Sequence, residues 1–574
     1  MRPLPKLALV AFAAFAGLAL WRANRADPIP GGPLLVDDPR TLKALEQREL
    51  SFERVVGKSG LAVIVRAIAD DMSELTRDAP PDSPRRPFRA AWLTRGSFEL
   101  VGLVNRLDRR VFDARGCGEV RLVYRLAFRG HERPTTRLPM TVNVRIPQPK
   151  PPGSDCGEVA RRWLGKPDLL RLVGELPRPA KVEINYQSIH VPATEHDMDD
   201  NAEYILRAFD FDGASLVAGH LFNTPRADLD ATSRAKLLAW VAEHVSEIDE
   251  GTAVVPDELL ATRITSVSPR GLIHESNRPF SRLIGDPRAA FARVSFEGRA
   301  RVHTPELLLR RLDELTCVGC HQTRGVAGFH LLGEERDERQ TFNALAVGHS
   351  PHLAADLGWR ATDLASLAKG ERSPVRPFAA YPDGRFGAEC GLTPGLAEWK
   401  CDEGLVCRDI HHGPWGVCAP KEGRRPGEPC EDVVVKPDLR ALGAIVTSRG
   451  PDGTCPAPSG DQATGAFCAP NWLGFTGGMC SERCTTLGEV QGESVCAPLP
   501  AAGYEADCFL GREPIEQCLE RHFVSARVAR CDATTPCRDD YGCARVPGAP
   551  SGVGACVPPY FIFQARVDGP VLDR

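Results

Sequence analysis

Two cysteines and a histidine stand within five residues of one another, in the segment Cys317-Val318-Gly319-Cys320-His321. This Cys-x-x-Cys-His spacing is the attachment signature of a c-type haem. On one helical turn, each thiol can form a thioether with one vinyl group of the ring, while the adjacent imidazole binds the iron. The segment therefore predicts one covalent haem held by Cys317, Cys320 and His321, with His321 as an iron ligand. A short-loop disulfide between the two cysteines is the alternative.

A helix is predicted immediately before this motif. Thr304 suits the N-cap, Pro305 suits the first helical position, and Glu306 complements the positive end of the helix dipole. One face of the helix is apolar because leucines recur at helical spacing, at Leu308, Leu312 and Leu315.

With this helix before the motif and the Gly-rich stretch 325–333 after it, residues 303–335 resemble the mono-haem cytochrome c family. The resemblance implies a small, mainly α haem segment, which we place at residues 301–385, and electron transfer as its function. The chain departs from the family at Gly328-Phe329, where Gly-Pro is usual. It also has no methionine between Met198 and Met479 to bind the iron from the second side.

Histidines replace that methionine as candidates for the distal iron ligand. His349 and His352 are the better placed, since His330 follows His321 by too few residues to wrap the ring easily. A histidine on both sides of the iron would lower its reduction potential relative to a His/Met pair. A vacant sixth position would instead allow peroxide or oxygen chemistry, so the sequence leaves open whether the protein is an enzyme.

Residues 1–27 have the pattern of an export segment. Arg2 and Lys6 precede an uninterrupted apolar run from Leu7 to Trp21, which is typical of a secretory signal peptide and short for a membrane span. A cleaved signal peptide and an uncleaved membrane anchor through residues 7–21 are both compatible with this pattern. Either predicts an extracytoplasmic protein, whether periplasmic, displayed at the cell surface or secreted.

The overall composition excludes some partners. The net charge is −4, from 71 basic and 75 acidic residues, so no broad basic field is available for nucleic acid. There is no phosphate-binding loop, which argues against a nucleotide cofactor, and no zinc-protease or serine-hydrolase motif.

Residues 28–195 are predicted to form a β-rich α+β domain, with a helical stretch near 38–72 and a linker at 78–87. Short segments rich in strand-forming residues lie at 98–104, 119–126, 141–146 and 181–186. Cys117 and Cys156 are the only cysteines of this block, which predicts one disulfide.

The segments Val104-Asn105-Arg106-Leu107-Asp108 and Cys117-Gly118-Glu119-Val120-Arg121 resemble a module of large secreted proteins from predatory soil bacteria. This resemblance implies a location and no particular chemistry. Residues 196–300 are predicted to be a mixed helical region with a helix at 228–245. A further helix is predicted at 352–367 within an otherwise irregular stretch.

Residues 386–574 hold 16 of the 20 cysteines, which predicts a disulfide-rich repeat domain. A Cys-x5-Cys unit followed by a turn-rich insert and Cys-small-Pro occurs at 401–420 and again at 537–558. The pairing order cannot be deduced from the sequence. The repeats resemble bacterial cell-surface cysteine-rich repeats, which implies a surface ligand or protease-resistant display.

The sequence thus predicts a multidomain protein: an N-terminal mostly β (α+β) domain, a small mainly α cytochrome c-like segment, and a disulfide-rich repeat region with little regular structure. The first functional hypothesis is electron transfer at the cell envelope to an unidentified redox partner protein or small electron carrier. The second is surface binding or adhesion, with the motif as a disulfide turn. The third is a haem enzyme that handles peroxide or oxygen.

Overall fold

A computed structural model of the chain describes most residues up to 420 and short segments beyond. The described ranges are 32–77, 86–113, 115–128, 136–191, 201–213, 215–268, 275–325, 328–333, 349–379, 384–385, 388–409, 413–420, 435–438, 444–447, 466–469, 479–482, 520, 523–524, 530–532, 542–546 and 548–557. The predicted export segment, residues 1–27, lies outside them. Within these ranges, no helix combines the length and apolar character needed to cross a membrane.

A nine-stranded antiparallel sheet forms the centre of the molecule. Its strands are β1 (Leu35–Val36), β2 (Arg86–Pro87), β3 (Ser97–Arg106), β4 (Gly116–Phe128), β5 (Thr136–Pro149), β6 (Lys181–Val191), β7 (Asn201–Phe211), β8 (Leu216–Gly219) and β9 (Arg263–Ser268). The order across the sheet is β1-β3-β4-β5-β6-β7-β8, with β2 beside β6 and β9 beside β7. The four strand segments predicted from the sequence are confirmed as parts of β3 to β6.

The sheet continues past residue 195, where we expected the β-rich domain to end. β7 pairs with β6 along its length, from Asp210 opposite Lys181 to Asn201 opposite Val191. β8 and β9 then pair with β7 on its other side. Strands from the region expected to be mixed and helical therefore complete the same sheet.

Helices precede, separate and follow the strands along the chain. They are α1 (Pro39–Leu45), α2 (Phe52–Val55), α3 (Gly57–Thr76), α4 (Ala91–Arg95), α5 (Cys156–Leu164), α6 (Leu169–Gly174), α7 (Ala231–Glu243), α8 (Val245–Glu250), α9 (Pro279–Ile284), α10 (Pro287–Ala290), α11 (Pro305–Glu314), α12 (Cys317–Gln322) and α13 (Pro351–Lys369). The helices predicted at 228–245, before the motif, and at 352–367 are confirmed as α7, α11 and α13. A π-helical turn (Glu46–Leu50) and 3-10 turns at Leu107–Phe112, Asp257–Leu259, Glu275–Asn277 and Pro394–Leu396 link these elements.

One face of the sheet is apolar and forms the main core. Residues at every second position, such as Leu122, Tyr124 and Val142, are buried in one cluster with the apolar stripe of α3, which includes Ile64 and Ile68. The predicted disulfide is present: Cys117 of β4 is bonded to Cys156 at the start of α5. This bond ties the sheet to the helix beside it.

The opposite face of the sheet is charged and is largely shielded from solvent. Glu119 on this face is buried, and Arg121, Arg145 and Glu183 are largely buried. Residues 328–333 and α13 lie against it. Alternation of this kind is typical of a sheet with one solvated face. Here the polar side instead forms the wall of an interior site.

A second core holds the helical region together and includes the start of the cysteine-rich region. Leu307, Leu308 and Leu312 of α11 pack in one cluster with Trp399 and Trp415. Trp415 begins a strand of the three-stranded sheet formed by β10 (Glu389–Gly391), β11 (Leu405–Asp409) and β12 (Trp415–Pro420), in the order β10-β12-β11. Two disulfides staple this small sheet, Cys390–Cys407 and Cys401–Cys418.

The repeat seen in the sequence is also a structural repeat. Near the C-terminus, the described strands Arg530–Cys531, Gly542–Arg545 and Gly554–Val557 form a sheet in which the last strand lies in the middle. β10, β11 and β12 have the same order. Cys543 lies opposite Cys556, as Cys407 lies opposite Cys418. The described strands between the two repeats form two hairpins, from Val435–Asp438 with Ala444–Thr447 and from Ala466–Ala469 with Met479–Glu482.

Candidate functional site

The Cys-x-x-Cys-His motif forms α12, a short helix fixed at its N-terminus. The Thr316 hydroxyl donates to the carbonyl of Asp313 at 2.6 Å and accepts from the amide of Gly319 at 2.9 Å. The amide of Cys317 donates to the hydroxyl of Thr224 at 2.9 Å. A Cβ at position 319 would lie 2.0 Å from the Asp313 carbonyl oxygen, so this close turn requires glycine. The spacing of the motif is therefore held by local hydrogen bonds.

The motif's two thiols are not bonded to each other. Cys317 and Cys320 are the free cysteines of the described part of the chain. Cys117, Cys390 and Cys401, by contrast, are each disulfide-bonded. The disulfide turn considered as the alternative is thus not formed in this structure.

The thiol of Cys317 lies among apolar side chains. It packs on a small cluster that includes Leu206, Ala208 and Leu221. Burial raises the pKa of Cys317 to about 12, and the nearby carboxylate of Glu183 acts in the same direction. Cys317 is therefore a neutral thiol in contact with apolar side chains.

The His321 imidazole is partly buried beside the charged face of the sheet. Its Nδ1 lies 3.5 Å from Nδ2 of Asn185, and that amide nitrogen also donates to the carbonyl of Gly328 at 2.7 Å. Burial, followed by the neighbouring His330, lowers the pKa of His321 to about 4. The ring is therefore neutral at physiological pH, which is the form that binds a metal ion.

Cys320 faces two histidines, His330 from the following loop and His352 from α13. Its Sγ lies 3.6 Å from Nε2 of His352, the second residue of α13. The rings of His352 and His330 are 4.7 Å apart between centroids. One atom from each of Cys320, His330 and His352 forms a group whose members all lie within 4.8 Å of one another. Burial alone would raise the pKa of Cys320, but the two imidazoles outweigh it and lower the pKa well below its ordinary value.

The three histidines considered in the sequence are placed differently. His352 lies beside the motif, with its Nε2 next to the sulfur of Cys320. His349 lies apart from the metal-ligand group, with its Nε2 2.8 Å from a carboxylate oxygen of Asp37. His330, which we ranked below both, is held against the motif because its Nε2 lies 2.7 Å from the Cys320 carbonyl oxygen. The seven residues between the end of α12 and His330 are enough for the chain to return to that helix.

Charged side chains on the sheet form the wall next to the motif, and sequence reasoning missed them as site residues. Glu119 accepts from Arg121 at 2.6 Å and from Arg145 at 2.7 Å, and it pairs with Arg109 at 3.2 Å. Glu183 pairs with Arg121 at 3.3 Å and with Arg145 at 3.4 Å. Three guanidinium groups thus face two carboxylates. The signal was the alternation of charge along β4 to β6, which we took only as evidence for strands.

A second set of ion pairs positions α13 and therefore His352. Asp363 of α13 accepts two hydrogen bonds from Arg110, at 2.7 and 2.8 Å. Arg376 joins Asp356 of α13, at 2.8 Å, to Asp108, at 3.3 Å. Bidentate pairs of this type fix orientation as well as distance.

Asp313, four residues before the motif, provides a prediction of pH dependence. Its buried carboxylate accepts from the amides of Phe280 and Ser281 and from the Ser281 hydroxyl. Burial raises the pKa of Asp313 to about 6, although these donors oppose the shift. The contribution of Asp313 to stability is complete below about pH 4 and is lost as the pH rises through about 6. The unfolded chain releases the proton first, at its ordinary pKa near 3.9.

Asp313→Asn should remove this pH dependence, which we estimate at about 3 kcal/mol. The measurement is the free energy of unfolding in urea for both proteins at pH 4, 5, 6 and 7. Subtracting one free energy of unfolding from the other at each pH removes the contribution of the other carboxylates, which titrate in both proteins. A difference that stays constant from pH 4 to 7 would show that Asp313 titrates normally.

In comparisons with known proteins, no family model, curated protein or solved structure matches the chain. The function must therefore follow from the residues and their geometry.

Proposed function

We propose that the protein is an exported c-type haem protein that transfers electrons at the cell envelope. Cys317 and Cys320 would hold one haem covalently, and His321 would bind its iron. The observation that carries this proposal is the pair of unbonded thiols at Cys-x-x-Cys-His spacing, in a chain where Cys117–Cys156, Cys390–Cys407 and Cys401–Cys418 are disulfide-bonded.

The chemistry of attachment requires free thiols. Each thiol adds its S–H across one vinyl double bond, with sulfur going to one carbon and hydrogen to the other. No oxidant is needed and no group leaves. A disulfide between the same residues would block this addition. In an oxidising compartment, two thiols one turn apart would otherwise be expected to pair.

His321 would bind the iron as a neutral imidazole. The amide nitrogen of Asn185, a donor, lies 3.5 Å from its Nδ1, so in this arrangement Nδ1 accepts and Nε2 carries the ring proton. Binding through Nε2 would move that proton to Nδ1, and Asn185 would accept from it only with its amide oxygen turned towards the ring. Of the two distal ligands expected from the sequence, His352 is favoured, because His349 pairs with Asp37.

When bound, the haem supplies a one-electron iron couple. The protein contributes a low-dielectric interior and a wall with one more guanidinium than carboxylate, formed by Arg109, Arg121 and Arg145 with Glu119 and Glu183. An excess of positive charge favours the state that has gained an electron. This wall would therefore raise the reduction potential and offset part of the lowering expected from two histidine ligands.

The test is expression in a host with a periplasmic haem-ligation system, followed by a spectrum of the reduced protein. We expect a haem band that survives acid extraction, at one haem per chain. Carbon monoxide should fail to change the ferrous spectrum if a second histidine fills the sixth position. Ready binding of carbon monoxide would instead favour a haem enzyme with an open iron.

A colourless product from such a host, with residues 317 and 320 joined in a peptide map, would refute the proposal. The remaining hypothesis would be the surface-binding protein whose disulfide-rich repeats recognise an external ligand.

A further inference from the structure

Cys320, His330 and His352 have the spacing of a mononuclear metal site. In tetrahedral zinc coordination, with about 2.3 Å to sulfur and about 2.05 Å to nitrogen, sulfur and nitrogen ligands are separated by about 3.6 Å. The Sγ of Cys320 lies 3.6 Å from Nε2 of His352 in this structure. A ring nitrogen of His330 completes a group within 4.8 Å. Little movement is needed to bring all three atoms to one ion.

The surrounding hydrogen bonds also suit metal ligation. Nε2 of His330 lies 2.7 Å from the Cys320 carbonyl oxygen, and its Nδ1 lies 2.7 Å from the hydroxyl of Ser350. Whichever nitrogen binds a metal, the other keeps a partner that fixes the ring, as is usual for ligand histidines. His352 is carried by α13, which the Arg110–Asp363 pair fastens to the turn after β3.

The other two groups of the motif face elsewhere. Cys317 packs on Leu206, Ala208 and Leu221. His321 directs its Nδ1 towards Asn185, and its ring is 5.8 Å from that of His330. The metal-ligand group thus shares only Cys320 with the haem motif.

We propose that Cys320, His330 and His352 bind one zinc ion, or a similar borderline divalent metal, in the chain that carries no haem. The protein would supply one thiolate and two imidazoles and leave the fourth position to water, an arrangement typical of reactive rather than purely structural zinc sites. Cys320 releases its proton on binding. Thioether formation consumes the same sulfur, so zinc at this site and haem on Cys320 exclude each other. The zinc site does not depend on the proposed haem function.

Cobalt(II) is the probe, added under reducing conditions to full-length protein from a host without haem ligation. We expect one equivalent to bind, with tetrahedral visible bands and a thiolate-to-cobalt band in the near ultraviolet, and zinc to displace it. His330→Gln, His352→Gln and Cys320→Ser should each weaken binding by at least about 100-fold, since loss of a ligand costs more than loss of its orienting partner. Cys317→Ser and His349→Gln are the matched controls and should bind as the parent does.

A second measurement covers the case in which a substitution disturbs folding. Zinc should raise the unfolding temperature of the parent and of Cys317→Ser but not that of His352→Gln, because it stabilises only a folded state that binds it. Cobalt binding without a thiolate band, or binding unchanged in His330→Gln and His352→Gln, would overturn the proposal.

The same variants separate this proposal from that of haem attachment. His330→Gln should lose the metal and keep covalent haem, whereas Cys317→Ser should keep the metal and lose one thioether. Metal binding in a chain that never acquires haem would refute only the haem function. Covalent haem in a chain whose haem-free form binds no cobalt would refute only the zinc site.

Discussion

A chain carrying both Cys317→Ser and Cys320→Ser should contain no covalent haem when made in a ligation-competent host. A serine hydroxyl does not form the thioether, so no bond to the ring remains after acid extraction. We expect the acid-stable haem band to fall from one haem per chain to background. Each single variant retains one sulfur and should keep part of the covalent haem, with its reduced band shifted because one vinyl group is left unreacted.

The matched control for this prediction removes two cysteines elsewhere. Cys390→Ser combined with Cys407→Ser breaks one disulfide of the small sheet and leaves the motif intact. This control should retain one acid-stable haem per chain. An acid-stable haem that persists in the variant without Cys317 and Cys320 would place the attachment on other residues.

Glu119→Gln should cause the largest loss of stability among single changes at the charged wall. The carboxylate of Glu119 contacts Arg109, Arg121 and Arg145, and an amide leaves three largely buried guanidinium groups facing only Glu183. Removal of one partner from a buried ion-pair network costs about 3–5 kcal/mol. The measurement is the free energy of unfolding in urea at pH 7.

The same variant should also respond differently to acid. Burial alone would raise the pKa of Glu119, but Arg121, Arg145 and Arg109 outweigh it and lower the pKa far below its usual range. Its contribution to stability is therefore complete above about pH 5 and is lost as the pH falls, since the unfolded chain takes up the proton first. Glu119→Gln should lose less stability than the parent between pH 5 and pH 3.

Glu53→Gln is the control for Glu119→Gln. Glu53 makes an exposed ion pair with Lys58 at 3.4 Å, and such pairs contribute little. This variant should unfold at the same urea concentration as the parent. Equal stability of Glu119→Gln and the parent would mean that solvent reaches the wall and screens its charges.

Features set by neighbouring residues were predictable from the sequence. The helix of residues 305–314 begins where Thr304 can cap it, and the Thr304 hydroxyl accepts from the amide of Leu307 at 3.2 Å. The alternating strands and the Cys117–Cys156 bond were also expected. These features depend on periodicity, capping and cysteine count, all of which are local or nearly local properties of the chain.

Long-range packing determined the rest of the site. Alternation along β4 to β6 shows that Glu119, Arg121 and Arg145 share a face, but not whether water or protein covers it. That depended on residues 328–333 and α13 folding across the sheet, which no pattern within the strands encodes.

The histidines show the same division between local sequence and tertiary packing. Chain distance from His321 favours His349 and His352 over His330 as the distal ligand. In the structure, however, the loop after α12 brings His330 against Cys320, and Asp37 pairs with His349. Local sequence defines the motif and the helices on either side of it. Which imidazoles reach the sulfur of Cys320 depends on contacts between segments far apart in the chain, because side-chain proximity is a property of the packed chain and not of spacing along it.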